Sequence, residues 1–347
     1  MLVRFWGTRG SLPASLNYLA VRAKIRDALV AARGETLTSD QAIDCFIDRL
    51  PFPVRGTYGG NSSCVELVTG ADEYLLCDFG SGVREFGNRV LSKYGPGQPR
   101  RYHVFMSHLH WDHIMGFPFF TPAYIPGNVI RIYGSHKVMR EALQRQQSNP
   151  TFPVDFRTLG ATIEFVELKP GRTYDVVGGV SVRSFLQNHA GNSYGFRFSH
   201  QNKIVVYSTD SEHKYETLDK TYPFVEYFRD ADLVIFDAMY SLADQISVKE
   251  DWGHSSNIVG VELAQLAGAK HLVMFHHEPI HDDRMLEKIL AETRRYAEIN
   301  DPERKLTITS VPCSTRASTP MPNGKPFATS IVDSSTRPHS TTSWATV

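Results

Sequence analysis

The sequence predicts an α/β chain, with two sheets flanked by helices or one mixed sheet. Two observations carry this. Short apolar runs of strand length recur along the chain: LVRFWG, CVELV, EYLLC, HVFM, VIRIY, TIEFVEL, VSVRSFL, YGFRF, KIVVYS, LVIF, HLVMF and LTITSV. Segments with helical spacing lie between them, and no fixed-period repeat is present.

The elements follow in order. LVRFWG opens the chain as a strand and turns over residues 8–13. Residues 16–49 read as a helical insertion: LNYLAVRAKIRDALVAA, then Ser39-Asp40 as a cap before QAIDCFIDRL, ended by Pro51 and Pro53. CVELV and EYLLC are strands joined by a Gly-Ala-Asp turn, and VREFGNRVLSKY is a helix. HVFM runs straight into SHLHWDH. Further helices are predicted over 136–146, 256–267 and 282–299, the last from the spacing of Leu286, Ile289, Leu290, Thr293 and Tyr296. Residues 1–312 form the folded domain. Residues 313–347, rich in Ser, Thr and Pro, read as a tail without a core of its own.

Composition bounds the function. Hydrophobic residues make up 41% and charged residues 21% of the chain, ordinary for a protein with a buried core. Lys+Arg and Asp+Glu are both 37, so the net charge is zero. That balance argues against extended nucleic-acid or anionic-membrane binding, while leaving room for a local patch. MLVRFWGTRGSLP lacks the apolar core of a secretory leader, and no apolar run approaches the length of a membrane span, so a cytoplasmic protein is expected. Cys45, Cys64, Cys77 and Cys313 lack CxxC spacing and read as free, buried thiols in a reducing compartment.

The chemistry is concentrated in residues 107–113. His108 and His110 sit two apart just beyond a strand, where alternate side chains point the same way and can share one metal ion. Asp112 and His113 follow where Gly116 and Pro118 turn the chain, and can reach a second ion. Ligand-type residues recur at the ends of other apolar strands: His189 after VSVRSFLQN, Asp210 after KIVVYST and His276 after HLVMF. Each has an ordinary alternative, as loop histidine, helix cap or core-edge residue. Their shared placement favours ligation, since rigid scaffolds carry function on such loops. Asp78 in CDFGSG is either an acceptor for a ligand histidine or a turn cap.

HLHWDH, then His189, Asp210 and His276, resembles the ligand series of the metallo-β-lactamase superfamily. FWGTRGSLP, YGGNSSCVEL and LLCDFGSGVRE are similar to the opening of its phosphodiesterase-like and ribonuclease Z-like hydrolases. The resemblance spans about residues 1–311, interrupted by the insertion. It implies an αββα sandwich of two mixed β-sheets flanked by helices, with the metals at the sheet edges. It implies one metal on His108, His110 and His189, a second on Asp112, His113 and His276, and Asp210 bridging. DLVIFDAMYS and WGHSSNIVGVELAQLA resemble the ribonuclease strings in which an acid orients a catalytic histidine, here Asp237 and His254. The alternative is that His254 only caps or packs. FHHEPIHDD stands where that family has a THFSxRY-like string, and no Gly-Pro-rich arm for transfer RNA is visible. His277 and His281 either line the pocket or sit near the last helix. His136, His200, His213, His271 and His339 read as surface or structural.

The expected function is a binuclear metal-dependent hydrolase. It acts on a small phosphodiester such as a cyclic nucleotide, by attack of a metal-bridging hydroxide. His254, Asp237 and Asp112 are the expected catalytic residues, with His254 protonating the leaving oxygen. Two divalent ions are expected, zinc or alternatively manganese. The rivals are an RNA-processing nuclease, a thioester or lactone hydrolase and a di-iron redox protein. No membrane partner is expected, and a homodimer is admitted.

Overall fold

The computed structural model describes residues 1–215, 218–242, 244, 249, 251–303, 306–313 and 315–318. Its strands are β1 (Leu2–Gly7), β2 (Cys64–Val68), β3 (Tyr74–Cys77), β4 (Arg101–Phe105), β5 (Val129–Gly134), β6 (Thr162–Glu167) and β7 (Thr173–Asp175). Then come β8 (Ser181–Leu186), β9 (Tyr194–His200), β10 (Lys203–Ser208), β11 (Leu233–Asp237), β12 (His271–Phe275), β13 (Thr307–Ser310) and β14 (Thr315–Ser318). The helices are α1 (Tyr18–Ala31), α2 (Asp40–Arg49), α3 (Phe52–Arg55), α4 (Val83–Tyr94), α5 (Trp111–Ile114) and α6 (Met139–Gln146). They continue with α7 (Pro223–Phe228), α8 (Asn257–Ala267) and α9 (Asp283–Asn300).

The strands form two seven-stranded sheets, β14-β1-β2-β3-β4-β5-β6 and β13-β12-β11-β10-β9-β8-β7. Alternation along each strand builds three apolar layers. Phe5, Leu75 and Phe105 of the first sheet meet Phe198, Val205, Ile235 and Val273 of the second between the sheets. Val234, Phe236, Leu272 and Met274 point the other way, onto Phe228, Val259, Leu263 and Leu290 of the outer helices. On the opposite face Leu76, Tyr102, Val104 and Ile130 pack against Phe86 and Val90 of α4 and Leu143 of α6. LVIF, and the LVMF that follows His271, are apolar throughout because both of their faces are covered. The αββα sandwich of two mixed sheets is thus the observed fold.

Strand direction positions the site. β3 and β4 are parallel, as are β10, β11 and β12, and β8 runs with β10 because each pairs antiparallel with β9. Their C-terminal ends therefore gather at one edge of each sheet. The amide of Tyr194 donates to the Ser107 carbonyl at 2.9 Å and ties the two edges together. Three residues at these ends, Asp78 (φ 62°), Asp210 (φ 24°) and His276 (φ 58°), are left-handed without being glycine. Such strain of roughly 1–3 kcal/mol per residue persists where surrounding structure enforces it, commonly at functional sites.

Some elements escaped the sequence. β7 and α3 are three and four residues long, too short to show a period, and α7 is six. The expected tail begins inside the fold, because β14 pairs antiparallel with β1 from Leu2↔Ser318 to Phe5↔Thr315. Residues 319–347 lie outside the described residues, as does His339. Cys64 and Cys77 are buried in strands, whereas Cys45 is exposed, and all four thiols are free. Among the described residues no helix is long and apolar enough to cross a membrane.

Candidate metal centre

Asp78, at the end of β3, is fully buried and collects four groups. Its Oδ1 accepts the Ser107 amide at 2.7 Å, and its Oδ2 accepts the Ser107 and Tyr207 hydroxyls at 2.7 Å each. The same Oδ2 lies 2.8 Å from His113 Nδ1. This carboxylate fixes the His113 ring and leaves Nε2 directed to the centre. Asp78 is therefore the acceptor for a histidine of the cluster. The single turn α5 begins after His110 and brings Asp112 and His113 to the same side.

The seven residues singled out in the sequence converge, and Asp210 divides them. Its Oδ1 lies 3.1 Å from His113 Nε2 and 3.3 Å from His276 Nε2, and Asp112 Oδ2 lies 3.2 and 3.1 Å from the same two nitrogens. Its Oδ2 faces His108 Nε2 at 3.6 Å and His189 Nε2 at 3.8 Å, and His189 Nε2 is 3.1 Å from His110 Nδ1. His108, His110 and His189 form one cluster of donors, and Asp112, His113, Asp210 and His276 another. Four donors arranged tetrahedrally about 2.0–2.1 Å from an ion stand roughly 3.3–3.4 Å apart. The spacings among Asp112, His113, Asp210 and His276, 3.1–3.3 Å, are close to that shell, while Asp210 Oδ2 stands farther off, at 3.6 and 3.8 Å, from His108 and His189.

The donors' chemistry also fits. His108 Nε2 is buried without a hydrogen-bond partner among the described residues. Burial, then the neighbouring His113, holds His108 well below the usual imidazole range, in its neutral ligand form. Burial pushes Asp112 and Asp210 upward, but His113 and His276 outweigh it and keep both carboxyls well below the ordinary range. Burial lowers His113 too, yet Asp210, Asp112 and Asp78 overcome it and raise that imidazole strongly. Carboxylates that draw a proton to this point draw a divalent cation by the same attraction.

Two glycines make room for the rings. A Cβ on Gly253 (φ 83°) would stand 2.4 Å from His189 Nδ1, which instead lies 2.8 Å from the Gly253 carbonyl. Glu212 holds that loop by accepting the Asp251 and Gly253 amides at 3.0 Å each. A Cβ on Gly10 would stand 2.6 Å from the His276 ring, and next to it the Ser11 amide donates to Asp112 Oδ2 at 2.9 Å.

Beside this centre, Asp237 ends β11 fully buried, with Oδ2 2.8 Å from His254 Nδ1. The same carboxylate accepts the Ser211 amide at 3.1 Å and the Met239 amide at 3.2 Å, so it has no freedom to turn away. The His254 ring centroid lies 5.0 Å from those of His189 and His276. Burial lowers the His254 imidazole, but Asp237 outweighs it and pushes it up to about 9. It is a protonated group at neutral pH, facing two rings of the donor cluster. Ser256, not His254, caps α8, its Oγ accepting the Val259 amide.

His136, His200, His213, His271, His277 and His281 lie outside the two donor clusters. His277 is buried behind the centre, with Nε2 2.7 Å from Ser310 Oγ and its backbone paired to Thr8 and Gly10. The carbonyls of His281 and Glu278 receive the Arg9 guanidinium, which anchors the 9–11 loop. His213 lies 2.7 Å from the Tyr222 hydroxyl, His271 2.8 Å from Thr309 and His136 3.0 Å from the Gly191 carbonyl. His200 is buried at the end of β9. Ser107, Tyr207, Gly10, Ser11, Gly253 and Glu212 support the centre and are not among the site residues that the sequence indicates. Ser107 and Gly253 adjoin His108 and His254, and that adjacency was the available signal.

Residues 74–277 match the model of the beta-lactamase superfamily domain, more than half of the chain. No curated protein matches. Among solved structures, the chain is similar to the metallo-beta-lactamase fold protein YhfI from Bacillus subtilis, at 16% identity and TM-score 0.58, covering 91% of this chain and 98% of that one. It is similar to the short form of human tRNase Z, at 20% identity and TM-score 0.55, covering 92% and 100%. A diphosphatase of the PhnP family matches at 17% identity and TM-score 0.55, covering 91% and 97%. The paired donor clusters, the two-sheet fold that gathers them and the family match lead to one conclusion: the chain belongs to the metallo-β-lactamase superfamily.

Proposed function

We propose that the protein is a binuclear metal-dependent phosphodiesterase acting on a small phosphodiester such as a cyclic nucleotide. The observation that carries the reading is the division of Asp210, whose two oxygens face two different donor clusters. His108, His110, His189 and Asp210 Oδ2 would hold one ion, and Asp112, His113, His276 and Asp210 Oδ1 the other. Imidazole and carboxylate donors suit zinc, and the carboxylate-richer second set also admits manganese. Two divalent cations supply Lewis-acid polarisation of the phosphoryl group and acidify water enough for attack at neutral pH.

The chain's own residues do the rest. His254, protonated and oriented by Asp237, donates its proton to the departing oxygen, which as an alkoxide leaves poorly. Asp112, also expected among the catalytic residues, would act by holding one of the ions. Trp111 follows His110, and Trp252 precedes the glycine that contacts His189; they are 77% and 64% exposed. Exposed indoles so close in sequence to His110 and to the glycine beside His189 suit stacking on a nucleobase. The zero net charge gives the chain no overall electrostatic pull toward long RNA.

His254→Ala tests the reading. It should retain its metal and lose roughly 10²–10⁴-fold in rate on a cyclic nucleotide. On bis-p-nitrophenyl phosphate, whose leaving group departs unprotonated, the loss should be far smaller. Raised to about 9, the acid is present at neutral pH and is lost as pH rises through that value, or lower with cations beside it. Asp237→Asn should shift this basic limb to lower pH. Equal losses on both substrates would remove the acid role, and cleavage of transfer RNA precursors without turnover of cyclic nucleotides would make the protein a nuclease.

A further inference from the structure

The insertion packs in an inverted way. α1 turns small and charged residues to the domain: Lys24 donates to the Gly56 carbonyl at 2.8 Å and to Asp283 at 2.6 Å, and Asp27 pairs with Arg284. No residue of α1 is buried, and Tyr18, Leu19, Val21, Ile25, Leu29 and Val30 are all exposed. At 100° per residue Val21, Ile25 and Leu29 form a stripe, and Arg22 and Arg26 run alongside it. α2 repeats the layout with opposite charge. Ile43 and Ile47 are exposed, Asp44 and Asp48 flank them, and Phe46 is its one buried residue. Arg26 meets Asp27, and Asp48 meets Arg55, only at 3.9 Å on an open surface, so neither charge is held in a tight pair.

We propose that these faces pair between two copies of the chain, the basic-apolar face of α1 lying on the acidic-apolar face of α2 of the second copy. A two-fold axis then repeats the contact, and the surface is complementary to itself, as a closed dimer requires. Charge selects this arrangement over others. α1 on α1 of the second copy would oppose arginines to arginines. An anionic bilayer would attract α1 but repel the aspartates of α2.

Sedimentation velocity on the full chain at micromolar concentration tests the pairing. The wild type should be a dimer, and Ile25→Asp with Leu29→Asp should be a monomer with unchanged circular dichroism and metal content. Reversing one stripe (Arg22→Glu with Arg26→Glu, or Asp44→Lys with Asp48→Lys) should weaken the dimer about tenfold or more. Combining both reversals should restore it, which a merely misfolded variant does not do. A monomeric wild type overturns the proposal, including one that dimerises only when residues 319–347 are removed. A dimer indifferent to both reversals, or a monomer that binds anionic vesicles, overturns it equally.

Discussion

Asp78 is fully buried, and Ser107, Tyr207 and His113 all converge on its carboxylate. Asp78→Ala leaves those buried groups unpaired and the His113 ring unfixed. Metal affinity is expected to fall about 10–100-fold, measured by competition with a chelator. Unchanged affinity would show that packing alone orients His113. At this scale the sequence was informative about ligands, because His, Asp and His stand directly after apolar strands. Tyr207 was not legible. It comes from the other sheet, 129 residues from Asp78, and only the sandwich brings the two together.

At the scale of elements, the centre is carried by short loops after parallel strands, and two glycines adjoin different donor clusters. Gly253→Ala presses on His189, and Gly10→Ala presses on His276. The first should weaken the ion held with His108 and His110, the second the ion held with Asp112 and His113. Metal titration should show two affinities, of which each variant lowers chiefly one. If both variants lower both affinities alike, the division of the centre by Asp210 is wrong. Strands and long helices were legible because their periods are long enough to count, as in α4, found over the residues that the sequence indicated. The inverted packing of α1 was not. Its apolar spacing reads as a core-facing helix, whereas the domain side receives Lys24 and Asp27.

At the scale of the molecule, the two sheets meet face to face, and the centre ties their edges together through Ser107 and Tyr194. β14 completes the first sheet by covering the edge of β1. Truncation after Ser318 should leave activity and Tm near normal. Truncation before Thr315 should expose the β1 edge, lower Tm by several degrees and promote aggregation. Equal Tm for the two truncations would show that β14 adds nothing to the fold. The fold class was legible in the alternation of strand and helix runs. The strand within the Ser/Thr-rich segment was not, since TRAS lacks the apolar character that marks the other strands.

The central claim is that Asp210 joins two metal ions in one centre. Native mass spectrometry of the purified protein, with elemental analysis of the same sample, tests it most directly. The account predicts two divalent ions per chain, and loss of both in Asp210→Ala. One ion per chain in the wild type, or two ions retained in Asp210→Ala, would contradict it.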